Sequence, residues 1–174
     1  MNGEIRFAGL EFGAVSAYET LPAGDYRIQF VESGSLSPSI FDTTVSLAPG
    51  DSVTVGIAGF DSSDLLLLRD ERAASSSRAG LRFANAVPDF PSALDLAVLN
   101  GPVLASGVGY LGSASYQDLI PGLYDLELLR TGTRDSAAES FGHSFTAGRN
   151  FTAFAIGTLR RENIDVIVVS DSDP

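Results

Sequence analysis

Asp89 and Asp95 bracket the loop Pro88-Asp89-Phe90-Pro91, and by type and spacing they come nearest to a pair of groups that could do chemistry. Two neighbouring acids can serve as general acid and base, or together hold a hard cation such as calcium. Asp61 with Asp64, and Asp171 with Asp173, form two shorter pairs. None of the three has the ligand spacing of a calcium loop. Aspartates beside turns commonly brace their own loop by hydrogen bonding to nearby backbone, and that is the expectation for Asp89 and Asp95. His143 is the only histidine. It falls on an apolar strand face, which predicts a partly buried structural residue, because metal and triad chemistry need a cluster of such groups.

The remaining chemistry is excluded more directly. With no cysteine, the chain has no disulfide scaffold, thiolate zinc site or thiol nucleophile. No Gly-x-Ser-x-Gly elbow, phosphate-binding loop or dinucleotide fingerprint occurs. Asn150-Phe151-Thr152 has the form of a glycosylation sequon, but it lies inside a predicted strand and reads as coincidence. No catalytic, cofactor-binding or metal-binding residue is therefore assigned, no cofactor is expected, and the chain reads as a non-enzyme. Eleven Lys plus Arg against 22 Asp plus Glu leave a net charge of −11. A field of that sign repels phosphate backbones, so nucleic acid is an unsuitable partner. No apolar run approaches the roughly 20 residues that a transmembrane helix needs.

The elements that position these residues come as one pattern written twice. Residues 2–59 lie over residues 100–157 at a constant offset of 98, and twelve of the 58 pairs are identical. Most of the twelve shape the backbone or anchor a core, among them Gly24/Gly122, Tyr18/Tyr116, Tyr26/Tyr124, Thr54/Thr152 and Gly59/Gly157. His143 aligns with Val45, and Tyr110 with Phe12. Tyrosines that recur in both copies point to a shared structural task.

The second copy supplies the whole unit. Leu81–Asn85 reads as a short strand stopped by the Pro88–Pro91 loop. Leu94, Leu96 and Val98 alternate with Asp95, Ala97 and Leu99. Asn100-Gly101 then predicts a type I′ hairpin turn with positive φ at both residues. Tyr26, Ile28 and Phe30 share one strand face, as do Tyr124, Leu126 and Leu128. Val53, Val55 and Ile57 match Phe151, Ala153 and Ala155. The run Asp64–Ala74 is ambiguous between helix and strand. Its β-branched counterpart Ile164–Val169 decides for a closing strand at Leu65–Arg69. Period-two alternation with turns about every ten residues predicts an all-β chain of two tandem antiparallel β-sandwich domains. The first spans residues 1–70, a charged and serine-rich stretch at 71–79 is the linker, and residues 80–174 form the second.

The stretch Arg82-Phe83-Ala84-Asn85-Ala86-Val87-Pro88-Asp89-Phe90-Pro91-Ser92-Ala93-Leu94-Asp95-Leu96 resembles the opening signature of the domain-of-unknown-function family 4397. That signature runs Arg, two apolar residues, His or Asn, Pro-Asp-x-Pro, and then Asp within a short strand. Here Asn85 stands where His is frequent, and one extra residue separates Pro91 from Asp95. The resemblance implies an immunoglobulin-like or prealbumin-like sandwich, often in tandem, in an exported or surface-anchored prokaryotic protein. It carries no established activity and no functional residues. The expected function is a structural or interaction module with an unidentified protein or glycan partner; the alternative is a carbohydrate- or peptide-binding module that uses loops at one end of the sandwich.

Nineteen residues (81–99) precede Asn100-Gly101 in the second copy, whereas only Met1 precedes Asn2-Gly3 in the first, which therefore lacks about 18 of them. Its missing apolar positions correspond to Leu81, Phe83, Leu94, Leu96 and Val98, worth about 8–15 kcal/mol of gross burial. Two expectations follow. Either the repeat continues upstream of Met1, together with any targeting signal, or the unit is built open to accept a strand. The second predicts strand addition, including a strand-exchanged homodimer through the incomplete first repeat.

Overall fold

A computed structural model describes residues 5–34, 39–59, 63–70 and 75–171. Four strands come from the first repeat: β1 (Gly24–Val31), β2 (Ser39–Leu47), β3 (Val53–Ala58) and β4 (Asp64–Arg69). Eight come from the second: β5 (Ala79–Asn85), β6 (Leu94–Val98), β7 (Val103–Val108), β8 (Gln117–Leu119), β9 (Gly122–Arg130), β10 (Ser136–Phe145), β11 (Asn150–Ile156) and β12 (Asp165–Ser170). A 3-10 turn, Leu159–Arg161, lies between the last two. The chain is all-β, with its sheets packed as sandwich layers. Asp64–Arg69 is a strand, as its counterpart predicts. Residues 71–74 of the expected linker lie outside the described residues, and β5 begins at Ala79.

The second unit forms two four-stranded sheets. Its sheets run β10-β9-β6-β7 and β12-β11-β5-β8. Leu81 and Phe83 of β5, Leu94 and Leu96 of β6, Leu126 and Leu128 of β9, Phe145, Phe151 and Ala153 fill the space between them. Period-two alternation places these side chains on facing inner surfaces. One pair departs from the antiparallel rule: β5 runs parallel to β11, with Arg82 opposite Thr152.

Two local expectations need correction. Asn100 has φ 55°, whereas Gly101 is not among the positive-φ glycines. Gly101 N–H donates to the Val98 carbonyl at 2.7 Å. The hairpin forms, but through a four-residue turn with Asn100 third, not through a type I′ turn centred on Asn-Gly. The alternation in β6 also does not mark one wet face. Asp95 and Ala97 are as buried as Leu94 and Leu96.

The first unit consists of two hairpins, β1-β2 and β3-β4. They correspond to β9-β10 and β11-β12, and the tyrosine register is preserved: Tyr26 lies opposite Val45 as Tyr124 lies opposite His143. Residues 5–10 and 19–21, the counterparts of β7 and β8, form no strand. The reason is pairing. β7 hydrogen-bonds only to β6, and β8 only to β5. Among the described residues the first unit has no counterpart of either partner, and these two stretches stay unpaired.

The β3-β4 hairpin instead packs on the second unit. Leu66 and Leu68 join Ala84 and Phe154 in one buried cluster, flanked by Leu111, Ile156, Ile167 and Val169. The pairings Val53↔Arg69 and Phe151↔Ser170 set the repeat offset at 101 after the hairpin turn. Leu66 and Leu68 are therefore the equivalents of Ile167 and Val169, and each repeat meets its sibling with the same face.

Candidate functional site

The offset of 101 brings together residues that sequence spacing kept apart. Asp70, just after β4, is the equivalent of Asp171, just after β12. Both anchor their hairpins through backbone N–H bonds, Asp70 to Ser52 O at 2.9 Å and Asp171 to Asn150 O at 2.8 Å. Each carboxylate is held by the same two side chains. Tyr18 Oη and Thr54 Oγ1 donate to Asp70 Oδ2 at 2.6 and 3.2 Å. Tyr116 Oη and Thr152 Oγ1 donate to Asp171 Oδ2 at 2.8 and 2.8 Å.

Arg82 lies between the two sets. Its Nε and Nη2 donate to Thr152 Oγ1 at 3.1 and 2.8 Å, and its Nη1 donates to the Arg69 carbonyl at 2.9 Å. Nη2 also pairs directly with Asp70 Oδ1, whereas Asp171 Oδ2 is 3.9 Å away. The guanidinium stacks over the Tyr116 ring, 4.7 Å from its centroid. The side chains of Arg82, Asp70 and Asp171 are each only 4% exposed. One buried cation thus serves two buried carboxylates, one from each repeat.

The electrostatics follow from that imbalance. Burial raises the Asp171 pKa above the ordinary carboxylate value; bonds from Thr152 and Tyr116 and the charge of Arg82 offset it in part, and the charge of Asp70 adds to it. Burial and the neighbouring carboxylates also raise the Tyr18 and Tyr116 phenols, which stay protonated as donors. A second tie crosses the same boundary: Tyr110 Oη donates to Asp64 Oδ2 at 3.0 Å, and burial followed by that carboxylate pushes Tyr110 up to about 12.

The acids that the sequence brought forward go separate ways. Asp89 accepts from Leu159 N–H at 2.7 Å and Arg160 N–H at 3.0 Å, capping the 3-10 turn. Asp95 accepts from Gly107 N–H (2.7 Å), Thr131 Oγ1 (2.7 Å), Ser106 Oγ (3.0 Å) and Gly132 N–H (3.3 Å). Burial raises both pKa values, but the donated bonds outweigh it and leave each below the ordinary range. Both acids brace loops, but through partners distant in the sequence and not through the nearby backbone that the sequence led us to expect. Among the hydrogen bonds of the described residues they share no partner. Asp61 and Asp173 lie outside the described residues.

His143 is half-buried, 2.9 Å from Ser140 Oγ, and burial lowers its pKa. The sequon residues Asn150 and Thr152 are buried in β11. Tyr26 and Tyr124 make the same bond, each donating to the carbonyl four residues earlier, Pro22 at 2.6 Å and Ile120 at 2.8 Å. Among the described residues no three His, Asp or Glu side chains group as metal ligands would.

A protein-family model for a domain of unknown function, DUF4397, matches residues 1–97 and again residues 79–174. The chain belongs to the DUF4397 family. The two matches overlap across residues 79–97, the stretch that holds β5 and all but the last residue of β6. Comparison with curated proteins returned no match. The Arg that opens the DUF4397 signature in this chain is Arg82, and the structure places it at the joint between repeats. Sequence spacing missed that joint because the gapless alignment stops at Gly59/Gly157. The signal was present all the same: Tyr18/Tyr116 and Thr54/Thr152 are identical pairs, and an Asp follows each closing strand.

Proposed function

We propose that this chain is a non-catalytic structural and interaction module of an exported or cell-surface protein, built from immunoglobulin-like or prealbumin-like sandwich units. The observation that carries the proposal is the commitment of its buried polar groups. Arg82, Asp70, Asp171, Tyr18, Tyr116, Thr54 and Thr152 hold one repeat to the other, and Asp89 and Asp95 hold loops. A catalyst needs such groups aimed at a place where substrate can sit. Here their hydrogen bonds point to the protein itself. Placement outside the cell rests on the family resemblance, and the net charge of −11 suits a soluble, exposed surface.

The test pairs a turnover screen with a glycan array on the whole chain. The expected result is no hydrolysis of glycoside, ester or peptide substrates and no glycan hit. Turnover that disappears in Asp89→Asn or Asp95→Asn while the fold persists would overturn the proposal in favour of a hydrolase. A strong glycan hit would replace it with a carbohydrate-binding module.

A further inference from the structure

The joint between the repeats carries one negative charge more than its buried guanidinium balances. The second unit contributes Arg82 of β5 and Asp171, just after β12; the first contributes Asp70, just after β4. The groups that face Asp171 come from every element packed on it. Thr152 of β11 and Tyr116, ahead of β8, donate neutral hydroxyls to its Oδ2. Arg82 Nη2 stands 3.9 Å from that oxygen, and Asp70 adds its like charge from across the joint. Tyr18 bonds to Asp70 and feels the charge of both acids. Arg69 gives the site its carbonyl, while its guanidinium pairs with Asp51 at 2.7 Å. His143, the only histidine, is bonded to Ser140 in β10.

That arrangement makes the hold of one repeat on the other depend on a proton. With both acids ionised, the second unit's share of the joint is neutral, since Asp171 cancels Arg82. Asp70 then meets attraction and repulsion from the same face, and like charges in a low-dielectric site oppose each other strongly. Neutralising Asp171 removes the repulsion and leaves the whole charge of Arg82 to Asp70. Asp171 is the acid placed to take the proton, because Asp70 contacts the guanidinium directly and Asp171 stands farther off. A proton on Oδ1 leaves the bonds from Tyr116 and Thr152 to Oδ2 in place. Burial, with the charge of Asp70, sets the Asp171 pKa above the ordinary carboxylate value, in keeping with that geometry.

We propose that the joint is a proton latch: the Asp171 carboxyl binds one proton, and that proton tightens the hold of the second repeat on the first. A carboxyl whose folded pKa is raised stabilises the closed form in full below its unfolded value and loses that contribution as pH rises through the folded value. The latch therefore tightens in acid and slackens towards alkaline pH. At high pH the contact of Leu66 and Leu68 with Ala84 and Phe154 remains to hold the repeats together. This regulation goes beyond the reading of the chain as a module, and it stands whether or not the chain turns over a substrate.

Amide exchange of the full chain, followed by mass spectrometry and corrected for the intrinsic rate at each pH, tests the latch. Leu65–Arg69 reports the joint, and Leu126–Leu129 reports the core of the second unit. Surface acids titrate as well, so the wild type is compared with Asp171→Asn, which has the same surface. At pH 8, Leu65–Arg69 should exchange about fivefold more slowly in Asp171→Asn than in the wild type, and at pH 4 the two should agree. Leu126–Leu129 should be alike in both chains at both pH values. Equal exchange of Leu65–Arg69 at pH 8, or faster exchange in the variant, would overturn the proposal. An equal change at Leu126–Leu129 would do the same, by placing the effect in the second unit and not in the joint. His143→Gln should keep the wild-type pH dependence; its loss there would move the proton to the histidine and sink the latch. A carboxyl titration of Asp171 by carbon NMR in the wild type needs no variant to fold. Its midpoint should lie above 3.8, and a midpoint at or below that value would overturn the proposal.

Discussion

Arg82 holds a position where chemistry and mechanics separate cleanly. Its guanidinium is buried with two carboxylates, so the two kinds of substitution have opposite signs. Arg82→Met leaves both carboxylates in a low-dielectric site without a cation, and breaking a buried pair in this way costs about 3–5 kcal/mol. Asp171→Asn removes the surplus charge and leaves Arg82 with its direct partner Asp70. The sign of the pH effect follows from the raised pKa of Asp171. A carboxyl whose folded pKa lies above its unfolded value stabilises the fold most below the unfolded value, near 3.8, and that contribution is lost as pH rises through the folded value. The Asp171→Asn chain should therefore match the wild type near pH 3 and exceed it at pH 7, as measured by urea unfolding at both pH values. An Asp171→Asn chain less stable than wild type at pH 7 would show that the charge, not its neutral form, supports the joint. Sequence spacing marked Asp89 and Asp95 as loop braces but looked for their partners close by; the donors Leu159 and Gly107 are 70 and 12 residues away and are brought to them by the fold. It overlooked Asp70, and paired Asp171 with Asp173 instead, because the meeting of Asp70 and Asp171 at Arg82 depends on a packing that no local pattern encodes.

At the scale of elements, equivalent strands of the two repeats have unlike fates because of their neighbours. β3 and β11 alternate alike, yet β11 is hydrogen-bonded on both edges and β3 on one. Backbone amides at a free edge open to solvent with less of the molecule than those inside a sheet. Amide exchange should accordingly be faster across Val53–Ala58 than across Asn150–Ile156, by tenfold or more, when followed by mass spectrometry. Equal protection would mean that the edge of β3 is covered. Elements were legible wherever period and turn residues agreed, as in the leucine face of β6 and the closing strand β4. They were less legible where a turn was shaped by its surroundings. At Asn100 the positive φ falls on Asn alone, and at Phe141-Gly142 a bulge breaks β10 although the matching Thr43-Thr44 of β2 pairs regularly. Gly142 has φ 76°, a conformation that glycine adopts without strain and threonine does not. That substitution between repeats is enough to account for the difference.

For the whole molecule, the question is what holds half a sandwich in shape. The first unit brings two hairpins and no central strands, too little apolar cover to stand alone. Leu66 and Leu68 find that cover on the outer face of the second unit, at 6% and 3% exposure, against Ala84 and Phe154. Folding of the first unit should therefore depend on the second, whereas the second, with two four-stranded sheets and its own core, should not depend on the first. Leu68→Asp tests this asymmetry, since a carboxylate at that buried, unpaired site is incompatible with the joint. Limited proteolysis with mass spectrometry should then show rapid cleavage throughout residues 5–70 and a resistant fragment beginning near Ala79. In the wild-type chain the strands of the first unit should resist cleavage for far longer than in Leu68→Asp, though for less time than the second unit. Loss of both halves together in Leu68→Asp would mean that the second unit leans on the first as well. Resistance of both would mean that the hairpins find their stability elsewhere.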